Sequence, residues 1–152
     1  MCADSIPRLR VLIVDDSPFM RRVIRLLLED SGRFEVVGEA ADGWEGLHWT
    51  RILKPDVITL DWHMPLLDGR EMLKRLRRES NVPVVMVSAL PAGVDVHGED
   101  PALVSVDVVV KEFSDNPLDL SVFAKELTTK LVNSWKAVQQ RKGCSPSSSL
   151  YE

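Results

Sequence analysis

The chain is organised around one stretch, Val57-Ile58-Thr59-Leu60-Asp61-Trp62-His63-Met64-Pro65, which is followed by Leu66-Leu67-Asp68-Gly69. The opening residues form an apolar, β-branched run that predicts a buried strand, and the run stops at a carboxylate and a Pro-containing loop. Asp61 therefore lies at the C-terminal end of a predicted strand. An equally apolar run, Val11 to Val14, ends at Asp15 and Asp16. If these strands are parallel neighbours, three carboxylates meet at the edge where open α/β sheets bind ligands.

Length and composition predict a single globular domain. The chain has 152 residues, 45% of them hydrophobic, and a formal net charge of −4. Basic and acidic residues are mixed along the predicted helices, which argues against a nucleic-acid-binding protein. No apolar run has membrane-spanning length and the N-terminus lacks the apolar core of a signal peptide, so we expect a cytoplasmic protein without a membrane partner. Cys2 and Cys144 share no metal-ligand spacing with the histidines and are interpreted as free thiols.

Strand and helix signals alternate along the chain. The apolar runs predict five strands: Arg10 to Asp15, Phe34 to Ala40, Val57 to Asp61, Val82 to Val87 and Val106 to Val110. This alternation predicts an α/β fold, a doubly wound five-stranded parallel sheet with right-handed crossovers and helices on both faces. The apolar continuity of the strands agrees with burial on both sides.

Capping residues and periodic apolar positions predict the helices. The first helix is predicted to begin at Ser17-Pro18, with an apolar face of Phe19/Met20, Val23/Ile24 and Leu27/Leu28. The second is predicted to begin at Asp42 and to bury Trp44, Leu47 and Leu53, and the third is predicted to begin at Asp68 and to bury Met72, Leu73 and Leu76. A long helix is predicted after Asn116-Pro117. The helical signal is weak between the fourth and fifth strands because Pro91, Gly93, Gly98 and Pro101 interrupt it. The Ser-rich segment 141–152 is typical of a disordered tail or the start of a linker.

Four of the predicted strands end in chemically useful residues: Asp15-Asp16, Asp61, Ser88 and Lys111. Each alone could be a turn or cap residue. If the carboxylates of Asp15, Asp16 and Asp61 lie together, each pair repels by roughly 4 kcal/mol at 4 Å, so the cluster needs a cation or bound protons. Mg²⁺ prefers oxygen ligands and keeps waters that phosphoryl oxygens can replace. Lys111 adds a point charge, Ser88 adds a hydroxyl, and a carboxylate can be the nucleophile, so the set predicts phosphoryl transfer.

This residue set resembles the receiver domain of two-component response regulators. The resemblance spans roughly Arg8 to Trp135, so we assign a receiver domain to residues 8–140. It is strongest for the regulatory domain of chemotaxis protein-glutamate methylesterase, in the segments Val14-Asp15-Asp16-Ser17-Pro18-Phe19-Met20-Arg21-Arg22, Glu35-Val36-Val37-Gly38-Glu39-Ala40, Lys54-Pro55-Asp56-Val57-Ile58-Thr59-Leu60-Asp61 and Val85-Met86-Val87-Ser88-Ala89-Leu90. The resemblance implies a flavodoxin-like strand order of 2-1-3-4-5. The esterase domain is absent from this chain, so the expectation is either a truncated protein or a stand-alone receiver. In both cases this chain itself is expected to be a non-enzymatic signalling module.

The resemblance also implies roles for the site residues. Asp61 would accept a phosphoryl group from a sensor histidine kinase, which the resemblance suggests is of the chemotaxis type. Mg²⁺ would bind to Asp15, Asp16, Asp61 and the backbone carbonyl of His63. Lys111 would pair with the phosphoryl group, and Ser88 would move toward it as the switch. The signal would then pass to an effector domain after residue 152 or to a separate output protein.

Three departures from the family pattern concern the output. Val108 stands where the family usually has an aromatic residue, Glu112 stands where the family usually has a proline after the lysine, and Gly98 and Pro101 interrupt the helix after the fourth strand. These departures leave the predicted phosphorylation site intact. One alternative function is a degenerate receiver that binds proteins without being phosphorylated, but the complete acidic set argues against it. Another is a haloacid-dehalogenase-type phosphatase, but that class needs a second Asp where this chain has His63. The side chain of His63 either acts on a hydrolytic water or is a solvated loop residue.

Overall fold

The computed structural model describes residues 8–89, 106–111 and 117–143. This part of the chain forms a five-stranded parallel sheet in the order β2-β1-β3-β4-β5, as predicted. The strands are β1 (Leu9–Val14), β2 (Phe34–Ala40), β3 (Val57–Leu60), β4 (Val84–Ser88) and β5 (Asp107–Val110). The helices are α1 (Pro18–Asp30), α2 (Gly43–Leu53), α3 (Gly69–Leu76) and α4 (Pro117–Gly143).

Helices cover both faces of the sheet, which confirms the doubly wound architecture. On one face, apolar side chains of the strands pack with residues of α1 and α4, including Ile24, Leu28, Phe123, Leu127 and Leu131. On the other face, they pack with residues of α2 and α3, including Leu47, Met72, Leu73 and Leu76. The central strands are therefore buried on both sides, which explains their continuous apolar sequences.

The strand register aligns the chain segments that leave β1 and β3. Val14 is opposite Leu60 in the parallel pairing of these two strands, so the next residue of each strand, Asp15 and Asp61, lies at the same height. The backbone N–H of Asp61 donates to the carbonyl of Val14 at 2.9 Å, which extends the ladder by one step. The predicted juxtaposition of the two carboxylates is thus a consequence of register.

The predicted helix starts are confirmed. The Ser17 hydroxyl accepts from the Met20 N–H, and Pro18 occupies the first turn of α1. Asp42 accepts from the Glu45 N–H, while the Glu45 carboxylate accepts from the Ala41 N–H at 3.0 Å. Asp68 accepts from the Glu71 N–H at the start of α3. Each contact satisfies a backbone donor that the helix itself leaves unpaired.

Two aromatic residues that were predicted to face the core are exposed. Trp44 is 49% exposed and Phe19 is 70% exposed. In α2, glycines take the buried positions instead: a Cβ on Gly43 would meet Leu67, and a Cβ on Gly46 would meet Met72. Trp44 instead lies under the guanidinium of Arg75, with 4.8 Å from Cζ to the ring centroid.

Several element boundaries also differ from the sequence prediction. β4 begins at Val84, and α4 continues through Gly143, so the helix extends into the predicted tail that starts at residue 141. The interrupted segment from Pro91 to Pro101 and the tail beyond Gly143 lie outside the described residues. Within the described part of the chain, no helix is long and apolar enough to cross a membrane.

Candidate functional site

Three acidic side chains gather where β1 and β3 end. Asp15, Asp16 and Asp61 each present a carboxylate oxygen, and these three oxygens lie within 4.8 Å of one another. Asp15 is 1% exposed and Asp61 is 5% exposed, whereas Asp16 is exposed to solvent. The cluster therefore has two buried carboxylates and one that faces water, as expected at the edge of a sheet that binds ligands.

Lys111 partly neutralises the two buried carboxylates. Its Nζ lies 2.8 Å from Asp15 Oδ2 and 3.4 Å from Asp61 Oδ1. The backbone N–H of Lys111 donates to the Ser88 carbonyl at 2.7 Å, which ties the lysine to the end of β4. One cation between two carboxylates leaves a net negative charge, and Asp16 adds to it.

The electrostatics of the cluster favour the protonated form of Asp61. Burial raises the pKa of Asp61 from 3.8 to about 6, and the charge of Asp15 acts in the same direction. The Lys111 charge and the His63 backbone N–H, which lies 3.4 Å from Asp61 Oδ1, oppose this rise in pKa. The folded protein thus holds an ionised Asp61 at a cost in free energy at neutral pH.

This cost predicts a pH dependence for the metal-free protein. Because the Asp61 pKa is higher in the folded state than the ordinary value of 3.8, the folded state binds more protons between about pH 4 and pH 6. The free energy of unfolding should therefore fall as the pH rises through this range. Asp61→Asn should remove that fall and should stabilise the metal-free protein at pH 7 by up to about 3 kcal/mol.

Urea unfolding of both proteins in EDTA, at pH values from 4 to 7.5, measures this difference. The wild type and the variant share every other titrating group, so the difference between their free energies of unfolding reports Asp61 together with its interaction with the neighbouring charges. A difference that stays constant across the range would show that the Asp61 pKa is unshifted.

Residues of α1 and β2 fix the position of Asp15. The Ser17 N–H donates to Asp15 Oδ1 at 2.9 Å, and Arg21 Nη1 donates to the Asp15 carbonyl oxygen at 2.6 Å. Arg21 is itself held by Glu39, with 3.1 Å between Nε and Oε1. The sequence analysis did not predict that Arg21 and Glu39 support the site. It noted their segments only because those segments resemble the family pattern.

Gly69 lets the start of α3 approach the end of β3. Its N–H donates to the Trp62 carbonyl at 3.0 Å, and a Cβ at this position would collide with the Asp61 carbonyl oxygen. The Asp68-Gly69 pair was interpreted only as a helix start. Its second role, close backbone packing under the cluster, is a tertiary contact that local sequence does not reveal.

The remaining predicted site residues surround the cluster. Ser88 is fully buried at the end of β4, and its hydroxyl forms no hydrogen bond with any residue in the described ranges. His63 is exposed and contributes its backbone N–H to Asp61. The predicted metal ligation by the His63 carbonyl stays a prediction. Asp16, His63, Met64, Pro65 and Asp68 line an open hollow of about 450 Å³ beside the cluster.

The donor set suits a hard divalent cation. Three carboxylate oxygens within 4.8 Å of one another fit the oxygen chemistry that Mg²⁺ prefers. Burial and the Asp15 charge raise the Asp61 pKa to about 6 although Lys111 opposes them, so a further cation beside Asp61 would favour its ionised form. The exposed Asp16 and the adjoining hollow leave one side accessible to a cation and its water ligands.

Comparison with known proteins defines the class to which this fold and site belong. Residues 11–122 match the model of the response regulator receiver domain. The chain therefore belongs to the response regulator receiver family, which confirms the resemblance inferred from the sequence.

The relatives of the chain narrow this class. It is 43% identical over 110 residues to a protein-glutamate methylesterase/protein-glutamine glutaminase of Halalkalibacterium halodurans, covering 72% of this chain and 31% of the relative. It is 38% identical over 144 residues to one from Geobacter metallireducens, covering 94% of this chain and 40% of the relative. The chain thus spans 31% to 40% of the length of these relatives and corresponds to their receiver part.

Solved structures agree with this assignment. The response regulator domain of Thermotoga maritima CheB superposes with a TM-score of 0.75 at 37% identity, covering 85% of this chain and 97% of that one. The chemotaxis response regulator CheY4 of Vibrio cholerae superposes with a TM-score of 0.67 at 30% identity, covering 82% and 99%. The five-stranded fold is thus the receiver fold.

Proposed function

We propose that the chain is a Mg²⁺-dependent phosphoacceptor that takes a phosphoryl group from a histidine kinase onto Asp61. The observation that carries the proposal is the convergence of Asp15, Asp16, Asp61 and Lys111 at one sheet edge. Asp61 is the candidate nucleophile because it is buried between the other carboxylates and the lysine, beside an open hollow. Membership of the receiver family supports the same reaction.

In the proposed reaction, an Asp61 carboxylate oxygen attacks the phosphorus of a phosphohistidine. The P–N bond breaks and its electron pair stays on the ring nitrogen, so a phosphohistidine that is already protonated at its other ring nitrogen leaves as neutral imidazole. Lys111 is held at 3.4 Å from Asp61 and can follow the new phosphoryl group with its positive charge. Asp15, Asp16, Asp61 and the His63 carbonyl would hold Mg²⁺, which when bound supplies positive charge to the transferred group's oxygens.

Ser88 is the proposed switch residue. Its buried hydroxyl has no hydrogen-bond partner in the described part of the chain, and an unpaired buried hydroxyl is costly. A phosphoryl oxygen on Asp61 would offer it an acceptor. The free energy gained by satisfying this hydroxyl would favour the rearranged state over the unphosphorylated one.

This function makes the chain a signalling module and not a turnover enzyme. The degenerate-receiver alternative, an interaction domain without phosphorylation, is disfavoured by the complete acidic set and by Lys111. We further propose that the partner is a histidine kinase of the chemotaxis type, because the relatives of the chain are methylesterases with receiver parts. The output partner is an effector domain or a separate protein in the cytoplasm.

Phosphotransfer from a purified chemotaxis-type histidine kinase tests this proposal. The kinase is first labelled with radioactive ATP and freed of nucleotide, and the chain is then added with Mg²⁺. Label should move from the kinase to the chain within the mixing time and should be released by hydroxylamine, as an acyl phosphate is. If the label remains on the kinase while a small acyl-phosphate donor still phosphorylates the chain, the proposed kinase partner would be rejected. The assignment of the chain as a phosphoacceptor would stand.

Val108 predicts where phosphorylation changes the structure. The Val108 side chain is short and has a restricted χ1, so it cannot fill and vacate the volume that an aromatic ring at this position occupies in the usual switching mechanism of receiver domains. The Val108 carbonyl is also fixed, since Lys130 Nζ donates to it at 2.6 Å. We therefore expect phosphorylated or fluoroberyllate-bound protein to change in the loop after Asp61 and in residues 89–102, with little change around Val108.

Hydrogen exchange on both forms measures the pattern. Large changes centred on residues 106–112, with residues 89–102 unaffected, would contradict the role assigned to Val108. The Lys130→Met variant serves as a control, because it removes the hydrogen bond to Val108 while keeping most of the aliphatic stem. In this variant, the exchange response should spread into β5.

A further inference from the structure

One feature that the proposed reaction leaves unused is a cavity at the opposite edge of the sheet. It encloses about 490 Å³ below the points where β3 and β4 begin. Pro55 and Asp56 precede β3, Val82 and Pro83 precede β4, and all of them line it. Its volume lies within the roughly 300–1,000 Å³ typical of sites that take a compact ligand.

The C-terminal half of α4 forms another wall of the cavity. Trp135, Val138 and Gln139 face the cavity at helical spacing. Trp135 and Val138 are only partly buried, so apolar surface of both remains available. Because α4 continues to Gly143, the chain leaves the helix about 6 Å beyond Gln139 at 1.5 Å per residue.

Among the residues that the structure describes, one cation at the polar rim of the cavity, Lys54, has no counter-ion. Arg51 is paired with Glu79, with 2.7 Å between Nε and Oε1. Lys54 is exposed, and its ammonium has no ion-pair partner among the residues that the structure describes. The backbone of Lys54 is held in the left-handed region with φ of 47° and donates to the Thr50 carbonyl, which fixes this position at the rim.

The segment after α4 contains apolar residues that suit the cavity wall and an acidic residue that suits the Lys54 ammonium. The sequence of residues 144–152 is Cys-Ser-Pro-Ser-Ser-Ser-Leu-Tyr-Glu, so one aliphatic and one aromatic residue precede the single charged residue. We propose that Leu150 and Tyr151 fold back into the cavity against Trp135 and Val138, and that Glu152 pairs with Lys54. The proposed occupant is therefore a segment of this chain itself.

The connection is long enough for this contact. Leu150 lies seven residues beyond Gly143, a span of up to about 25 Å when extended. The cavity wall on α4 is about 6 Å from Gly143, so the chain can reverse direction and still reach it. A short tether also gives an effective concentration of about millimolar, so contacts by Leu150 and Tyr151 with a dissociation constant below about a millimolar would keep the cavity mostly occupied.

Nuclear magnetic resonance of the full chain tests the proposal with Tyr151→Ala and a matched control, Ser147→Ala. Tyr151→Ala should shift the Trp135 indole N–H and the Val138 methyl signals, while the indole signals of Trp44 and Trp62 stay unchanged. It should also lower the backbone order parameters of residues 150–152 from about 0.8 to below about 0.6. Ser147→Ala should cause neither change.

Charge reversal tests the rim contact independently. Lys54→Glu and Glu152→Lys should each reproduce part of the Tyr151→Ala shifts, and the double variant should restore the wild-type signals. Wild-type order parameters below about 0.6 throughout residues 147–152 would overturn the proposal. Cavity shifts that grow with protein concentration would overturn it too, because they would assign the cavity to a second copy of the chain.

Discussion

Asp61→Asn is expected to abolish phosphorylation of the chain by both a histidine kinase and a small acyl-phosphate donor. An amide is isosteric with the carboxylate but lacks the charge and nucleophilicity that the transfer requires. Asp15 is the one other described carboxylate that is buried and contacts Lys111, and it is 1% exposed whereas Asp61 is 5% exposed. Intact mass spectrometry should detect no phosphorylated form above the donor-free background.

The control for this substitution is Asp56→Asn. Asp56 lies directly before β3, at the end of the strand opposite Asp61, and its carboxylate accepts the Arg10 N–H at 2.8 Å. An amide oxygen can accept the same hydrogen bond, so this variant should fold and be phosphorylated like the wild type. Persistent label on Asp61→Asn protein would move the acceptor to another residue.

Asp16→Ala is expected to weaken Mg²⁺ binding by at least about tenfold, equivalent to ~1.4 kcal/mol. Asp16 is the one exposed carboxylate of the cluster, so its removal takes away a ligand without leaving a buried group unpaired. The metal-free protein should become slightly more stable, because one like charge is lost next to Asp15 and Asp61. Isothermal calorimetry measures the affinity, and urea unfolding in EDTA measures the stability.

Asp68→Asn is the matched control for the metal experiment. Asp68 lines the same hollow as Asp16 but lies outside the carboxylate cluster. Asparagine caps a helix as well as aspartate does, so α3 should keep its start while one nearby charge is removed. Equal losses of Mg²⁺ affinity in the two variants would indicate a general charge effect and not ligation by Asp16.

The sequence predicted the position of the site because parallel topology converts strand ends into a shared edge. Asp15 and Asp61 come directly after apolar runs, and the observed pairing of Val14 with Leu60 brings them together. The ion pair between Lys111 and Asp15 was not predicted, since a side-chain direction depends on the packed structure. The supports from Arg21 and Gly69 were missed for the same reason: each contact depends on how the chain turns back between residues six or eight positions apart.

The fold errors have a related origin. Counting apolar residues placed Trp44 in the core, whereas the buried face of α2 is formed around Gly43 and Gly46, which permit close packing. Hydrophobic periodicity gives weight to large apolar side chains and little to glycine. The predicted buried face of α2 was therefore wrong in its orientation around the helix axis. The caps were predicted well, because a capping contact joins residues only three positions apart.

Locating the phosphoryl group in the wild-type chain tests the central claim most directly. The chain is incubated with a small acyl-phosphate donor and Mg²⁺, the acyl phosphate is trapped by borohydride reduction, and the modified residue is identified by peptide mass spectrometry. We expect one modified residue, Asp61, and no modification when EDTA replaces Mg²⁺. Modification at any other residue, or at Asp61 without a divalent cation, would contradict the proposed function.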